Sequence, residues 1–308
     1  MKRKIILFLS AALLFSAFSL FAVNANNGSC GATAAWNFDS DLGTLYISGN
    51  GAMTDYEKET DVPWHHLRDD IVYISVSEGI TRIGNNAFRH LENLLSVNLP
   101  STLETIGSKA FAYCYTLRDI KIPSTVKAIG ESAFYYCKNI ADVTLPSAVT
   151  EIKKDTFFGC QSLVSLKMGD NVKTVGEGAF YFCIKLSNLK LSNTIEKIEK
   201  NAFNYCEALK VFTCVMSDDD WASVDVASGN ECLMSARRYS GELIIGDTDG
   251  DGTLGANDAI YLLYNIFFGN ENYPIEQNRD FNKDNAITAD DAIYLLYHVF
   301  FGSQQYPL

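Results

Sequence analysis

Asp247, Asp249, Asp251 and Asp258 occupy places one, three, five and twelve of a loop with Gly252 at place six and Leu254 at place eight. A hard cation takes six to eight oxygens, and alternate residues of a tight wrap all point inward if the backbone bends at the sixth. The spacing predicts a calcium ion held by the side chains of Asp247, Asp249 and Asp251, the Thr253 carbonyl and both oxygens of Asp258, with Leu254 turned towards a core. The pattern returns 33 residues later as Asp280, Asn282, Asp284, the Ala286 carbonyl and Asp291, with Ile287 inward. Asn285 stands at the second bend, where Asn tolerates left-handed backbone better than most residues. One carboxylate fewer predicts weaker binding there. An acidic surface turn has no reason to keep this spacing twice, so two Ca2+ ions are expected.

Other chemistry is hard to find. The four histidines are His65, His66, His90 and His298, and HExxH, GxSxG and phosphate-cradling glycine patterns are missing. A carboxylate pair for glycoside cleavage can hide in any acidic chain, but the reading is of a protein that is not an enzyme. Net charge is −12, and from Asp247 onward ten acids face only Arg279 and Lys283, which leaves −8 in the last fifth. That concentration favours cations. The sequence shows no basic stripe to meet phosphates, which argues against nucleic acid as a partner.

The calcium loops are carried by helices, one after each loop: "NDAIYLLYNIFFG" and "DDAIYLLYHVFFG". At the other end "MKRK" and the apolar run "IILFLSAALLFSAFSLFAV", followed by Asn24-Ala25, read as a signal peptide over residues 1–25. An uncleaved anchor is the alternative, since the run is nearly long enough to span a bilayer. Cleavage gives an exported protein with no membrane span.

Between these ends one frame is written six times. Phe88, Phe111, Phe134, Phe157, Phe180 and Phe203 are 23 residues apart. A fixed period of this size means stacked units, each burying its neighbour's apolar side. Ile120 and Ile122 alternate with Asp119 and Lys121 as a short strand that Pro123 ends. "GESAFYYC" then predicts a short helix or helical turn on the opposite side. The expected fold is an α/β repeat solenoid with a parallel sheet roughly 30 Å long on one face, followed by a small all-α module. The divisions are 1–25 signal peptide, 26–70 N-terminal cap, 71–209 repeats, 210–240 C-terminal cap and 241–308 calcium module.

Cys114, Cys137, Cys160, Cys183 and Cys206 share one inward repeat position and read as small core residues. Cys214 and Cys232 are left with two open readings, a disulfide staple or free thiols. The solenoid has two outward surfaces. One is the strand face, with Ser75, Asn98, Lys121, Thr144, Lys167 and Lys190 in one column and Tyr73, Ser96, Asp119, Asp142, Ser165 and Asn188 beside it. The other carries aromatics such as Tyr113, Tyr136, Tyr181 and Tyr205, which either seal the groove between turns or stack on sugars.

"LPSTLETIGSKAFAYCYTL" and its copies resemble the leucine-rich repeats of the BspA-like family, over about Cys30–Ser240. Loop-then-helix, duplicated, with Asp at place twelve, resembles a type I dockerin over about Leu243–Leu308. The second resemblance implies a calcium-folded module whose helices bind a cohesin domain on a scaffold protein. It implies contacts at Ala256, Asn257, Leu263, Tyr264 and Phe268, and at Ala289, Asp290, Leu296, Tyr297 and Phe301. The family's hydroxyl pair and basic contact residue are missing, which implies a more apolar interface. Leu263 and Leu296 have a second reading, as the module's own core. Together these likenesses imply an exported recognition or adhesion protein recruited to a cellulosome-like complex, with a protein or glycan ligand on the repeats. The rivals are a dockerin-bearing hydrolase of polysaccharide catabolism and a free-standing cell-surface adhesin.

Overall fold

A computed structural model describes residues 26–239, 255–268, 281, 283 and 288–301. The expected signal peptide lies outside them. No helix among the described residues is long and apolar enough to cross a membrane.

The chain opens with an antiparallel set, β1 (Asn27–Ser29), β2 (Ala34–Asp39) and β3 (Thr44–Gly49), then β4 (Gly51–Ala52). β3 hands over to the repeats by pairing in parallel with β5 (Tyr73–Val76). From there every repeat supplies two short strands. The first kind, on the main face, comprises β5, β7 (Ser96–Asn98), β9 (Asp119–Ile120), β11 (Asp142–Thr144), β13 (Ser165–Lys167), β15 (Asn188–Lys190) and β17 (Val211–Thr213). The second kind follows a turn, opened by Pro100, Pro123 and Pro146 in three of the copies, and was not anticipated: β6 (Ile80–Ile83), β8 (Thr105–Ile106), β10 (Ala128–Ile129), β12 (Glu151–Ile152), β14 (Thr174–Val175) and β16 (Lys197–Ile198). The cap completes both rows with β18 (Asp225–Val226), beside β16, and β19 (Arg237–Tyr239), beside β17. Two one-turn helices, α1 (Asp218–Ala222) and α2 (Glu231–Ser235), link them. The result is a parallel-sheet solenoid of about seven turns.

Each strand pair between neighbouring repeats is in register at the 23-residue offset, so Val97 meets Ile120 and Leu166 meets Leu189 inside the stack. The buried phenylalanines form a continuous column. Trp64 lies 5.7 Å from Phe88, and the phenylalanine centroids follow at 5.3, 5.4, 5.2, 5.4 and 5.2 Å through to Phe203. Offset and tilted aromatic pairs at such distances add about 0.5–1.5 kcal/mol beyond area burial.

The third side of each turn differs from the expectation. The "GESAFYYC" segment forms no helix; it is a run of tight turns. In successive copies Lys109 and Tyr113, Ser132 and Tyr136, and Asn201 and Tyr205 have φ between 55° and 65°. Left-handed backbone costs a non-glycine residue about 1–2 kcal/mol. The return is an alternation that aims three N–H groups per turn at the next repeat: Lys109 to the Glu131 carbonyl at 2.9 Å, Phe111 to Ala133 at 2.8 Å and Tyr113 to Tyr135 at 2.7 Å. A helix would have spent these donors within itself. The five repeat cysteines join the same ladder. The Cys114 thiol donates to the Phe88 carbonyl at 3.1 Å, and Cys206 to that of Phe180 at 3.3 Å. Their expected place in the core is thereby borne out. All eight cysteines are free thiols; Cys214 donates to the Ser192 carbonyl rather than pairing with Cys232.

Nor is the sheet continuous. One main-face sheet ends at β9 and the next begins at β11, and the second-strand sheets divide at the same junction, between β10 and β12. The turn ladder crosses it unbroken, with Phe134 donating to Thr156 at 2.8 Å and Tyr136 to Phe158 at 2.7 Å. Pairing β9 with β11 in register would set Asp119 beside Asp142, two short carboxylates about 4.8 Å apart on a bare sheet face.

Both ends are closed by side chains. The Trp64 indole N–H donates to the Ala87 carbonyl at 3.0 Å, ahead of the first turn. After the last, Asn230 accepts the Phe203 N–H at 2.9 Å and donates to the Glu199 and Ala227 carbonyls at 2.9 and 2.7 Å.

Candidate functional site

α3 (Ala256–Phe268) and α4 (Ala289–Phe301) are the helices expected after the two acidic loops. They pack on a small core of Ala259, Leu262, Phe281, Ala292 and Leu295. Alanine on each side keeps the axes close, and the leucine three residues on fills the space beside it.

Asp258 and Asp291 open these helices, where the first backbone N–H groups have no partner within the helix and favour negative charge. Both carboxylates are buried. Asp258 accepts the Gly255 N–H at 2.6 Å. Asp291 accepts the Phe281 N–H on one oxygen and the Thr288 N–H on the other, both at 2.8 Å. It therefore ties the second place of its loop to the ninth. An ionised carboxylate offers about four lone-pair sites, and its hard oxygens are of the kind that calcium takes. The other expected ligands, Asp247, Asp249, Asp251, Thr253, Asp280, Asn282, Asp284 and Ala286, lie outside the described residues. Among the described residues no cluster of three or more His, Cys, Asp or Glu side chains could hold a metal.

Of the expected partner contacts, Tyr297 is 44% exposed and Asp290 is exposed. Ala256 and Ala289 are half-buried. Leu263 and Leu296 are half-buried against the helix-pair core, the second of their two readings. The side chains of Asn257, Tyr264, Phe268 and Phe301 lie outside the described residues. Four outward apolar side chains were not anticipated: Ile260 at 45%, Phe267 at 69%, Ile293 at 44% and Phe300 at 68% exposed. Ile260 and Phe267 share one helical face two turns apart, at i and i+7, and Ile293 and Phe300 repeat them 33 residues on. That double spacing was the signal available in the sequence.

On the solenoid, the expected outward columns stand on the main sheet in register: Ser165 beside Asn188 and Lys167 beside Lys190. The aromatic row on the turn side mixes face-to-face and edge contacts. His90 lies 4.4 Å from Tyr113 at 8° and Phe158 lies 4.7 Å from Tyr181 at 7°, while Tyr113 meets Tyr135 at 71° and Tyr181 meets Tyr205 at 67°. Rings packed on their neighbours in this way favour the sealing role over stacking on sugars.

The family description "BspA type Leucine rich repeat region" matches residues 67–160 and 129–217, in six copies. No curated protein matches the chain. Among solved structures, a leucine-rich repeat protein of T. pallidum is 25% identical over 64% of this chain and 94% of its own, with a TM-score of 0.46. A leucine-rich cell surface protein of Faecalibacterium prausnitzii is 21% identical over 65% and 72%, with a TM-score of 0.42. A leucine-rich repeat protein of Bacteroides ovatus is 19% identical over 67% and 67%, with a TM-score of 0.44.

Proposed function

Because residues 67–217 are a BspA-type leucine-rich repeat region, we propose that this is an exported, non-catalytic recognition protein with a plug at its C-terminal end. The repeats display a binding face. The helix pair, with two calcium loops, docks as a type I dockerin into a cohesin domain of a scaffold protein. That would recruit the repeat face to a cellulosome-like assembly in polysaccharide breakdown.

The observation that carries the docking half is the duplication of outward apolar side chains above duplicated buried aspartates. Ile260 and Phe267 on α3 match Ile293 and Phe300 on α4, and Asp258 matches Asp291. Exposed aromatics supported by a small rigid core are what a partner protein uses as anchors. A twofold arrangement of this kind lets either helix lead.

The test is a calcium titration of the full chain by calorimetry, with capture on a panel of immobilised cohesin domains with and without chelator. Two ions per chain and chelator-sensitive capture are expected. Asp258→Ala with Asp291→Ala should abolish both while the strand signal of the solenoid stays. Absence of calcium uptake at millimolar concentration, or capture indifferent to chelator, would refute the docking role.

A further inference from the structure

We propose that the C-terminal half of the main sheet face binds an acidic polysaccharide, a sugar chain carrying carboxylates among its hydroxyls. The proposal rests on the repeats being a recognition surface and names what they recognise.

Lys167 on β13 and Lys190 on β15 are register partners and point outward. Lys210 immediately precedes β17, and Arg237 on β19 stands in line with Val211. Three of four consecutive strands, β13, β15 and β19, thus carry a cation, Lys210 lies just before the fourth, and no carboxylate takes an outward place within them; Asp142 on β11 stands beside Ser165 at the edge of the row. The chain as a whole is at −12. Elsewhere on the solenoid some lysines meet acids, Lys127 with Glu104 at 3.0 Å, Lys154 with Glu177 at 3.3 Å and Lys173 with Glu196 at 2.7 Å, while others such as Lys121 and Lys153 do not. Lys167, Lys190, Lys210 and Arg237 make no ion pair among the described residues. Like charges side by side on a sheet are destabilising. The row therefore gives nothing to the fold that paired or neutral residues would not give better, and an anionic ligand would neutralise it.

The side chains between the cations choose among anions. Ser165 and Asn188 are a short hydroxyl and an amide on the same face. They suit a hydroxylated chain. A protein partner would need buried aromatic, Met or Leu anchors at the centre of its footprint. The outward places on β13, β15 and β17 hold none, the apolar side chains there being Val164 and Val211, and the one aromatic in register with them is Tyr239 on β19, at the end of the sheet.

The experiment is affinity electrophoresis or calorimetry of the full chain with polygalacturonate as probe. Its methyl-esterified neutral form and polyglutamate are the comparison ligands. Retention by polygalacturonate that weakens as salt rises is expected, with Lys167→Glu/Lys190→Glu about tenfold weaker. Lys153→Glu/Lys200→Glu, the same charge change on the turn side, should stay within about twofold. Circular dichroism confirms that each variant is folded, and the salt dependence of the unaltered chain tests the charge independently. No retention, equal retention of the neutral polymer, or polyglutamate bound as tightly would overturn the proposal, the last by showing attraction to any polyanion. Calcium uptake and cohesin capture are read separately, so failure here leaves the docking role standing, and the reverse.

Discussion

Asn230→Ala should open the C-terminal end of the solenoid without touching the rest. Along the stack, the N–H of each repeat phenylalanine donates to a carbonyl of the next turn, as Phe134 does to Thr156. Phe203 has no next repeat, and the Asn230 side chain takes the place of that carbonyl at 2.9 Å while its amide group closes two more bonds. Asn230 is 1% exposed and Phe203 is fully buried. Truncation orphans one buried donor, at about 1–3 kcal/mol, and removes two bonds to half-buried carbonyls that water can partly replace, at about 0.5–1.5 kcal/mol each. The sum is about 2–6 kcal/mol, and with water returning to the carbonyls the lower half of that range, roughly a hundredfold in local opening, is expected. Repeat stacks couple only to nearest neighbours, so the loss should stay near the end. Hydrogen exchange should quicken about a hundredfold at Phe203 and across 225–239 and remain unchanged at 88–134. Asn204→Ala removes one surface bond of 3.3 Å to Asn201 and should cost under about 0.5 kcal/mol. Equal effects from the two variants, or exchange quickened evenly along the whole solenoid, would refute the capping argument.

The remaining expectations concern charge and strand pairing. Burial pushes the Cys30 thiol up to about 12 and Cys214 up to about 11, and it raises Cys114, Cys137, Cys160, Cys183 and Cys206 as well. A raised folded value means that the native chain holds protons which the unfolded chain releases near 9.0, so stability should be intact below pH 9 and fall as pH climbs above it. Urea midpoints across that range check the sign, and Cys137→Ala should flatten the slope. The same burial predicts that an alkylating reagent at pH 8 labels Cys232 well before the five ladder cysteines; rapid labelling of Cys137 in the native protein would contradict it. Asp142→Asn removes one charge facing the β9–β11 junction and should slow amide exchange over 141–144, with a gain of a few tenths of a kcal/mol. No change in exchange there would dismiss like-charge repulsion as the cause of the divided sheet.

The 23-residue recurrence of Phe88 through Phe203 was enough to predict a stack, because a fixed period admits no other way to bury each copy's apolar side. Alternation around Ile120 set which residues face inward, and the five cysteines followed from the same frame. The acidic spacing from Asp247 and Asp280 is also a statement that sequence alone makes, since it rests on where a loop's oxygens must be. Tertiary structure decided what depends on neighbours one repeat away. Local propensity around "GESAFYYC" suggests a helical turn, yet the partner copy rewards left-handed residues that aim N–H groups sideways, and a ladder replaces the helix. The division of the sheet at the junction of Asp119 and Asp142 is visible only once the turns are stacked, and the Asn230 cap only when the chain returns to Phe203. The outward faces of α3 and α4 and the unneutralised row from Lys167 to Arg237 are likewise properties of packing: a side chain's partner, or its lack of an ion pair, is settled by what the fold sets next to it.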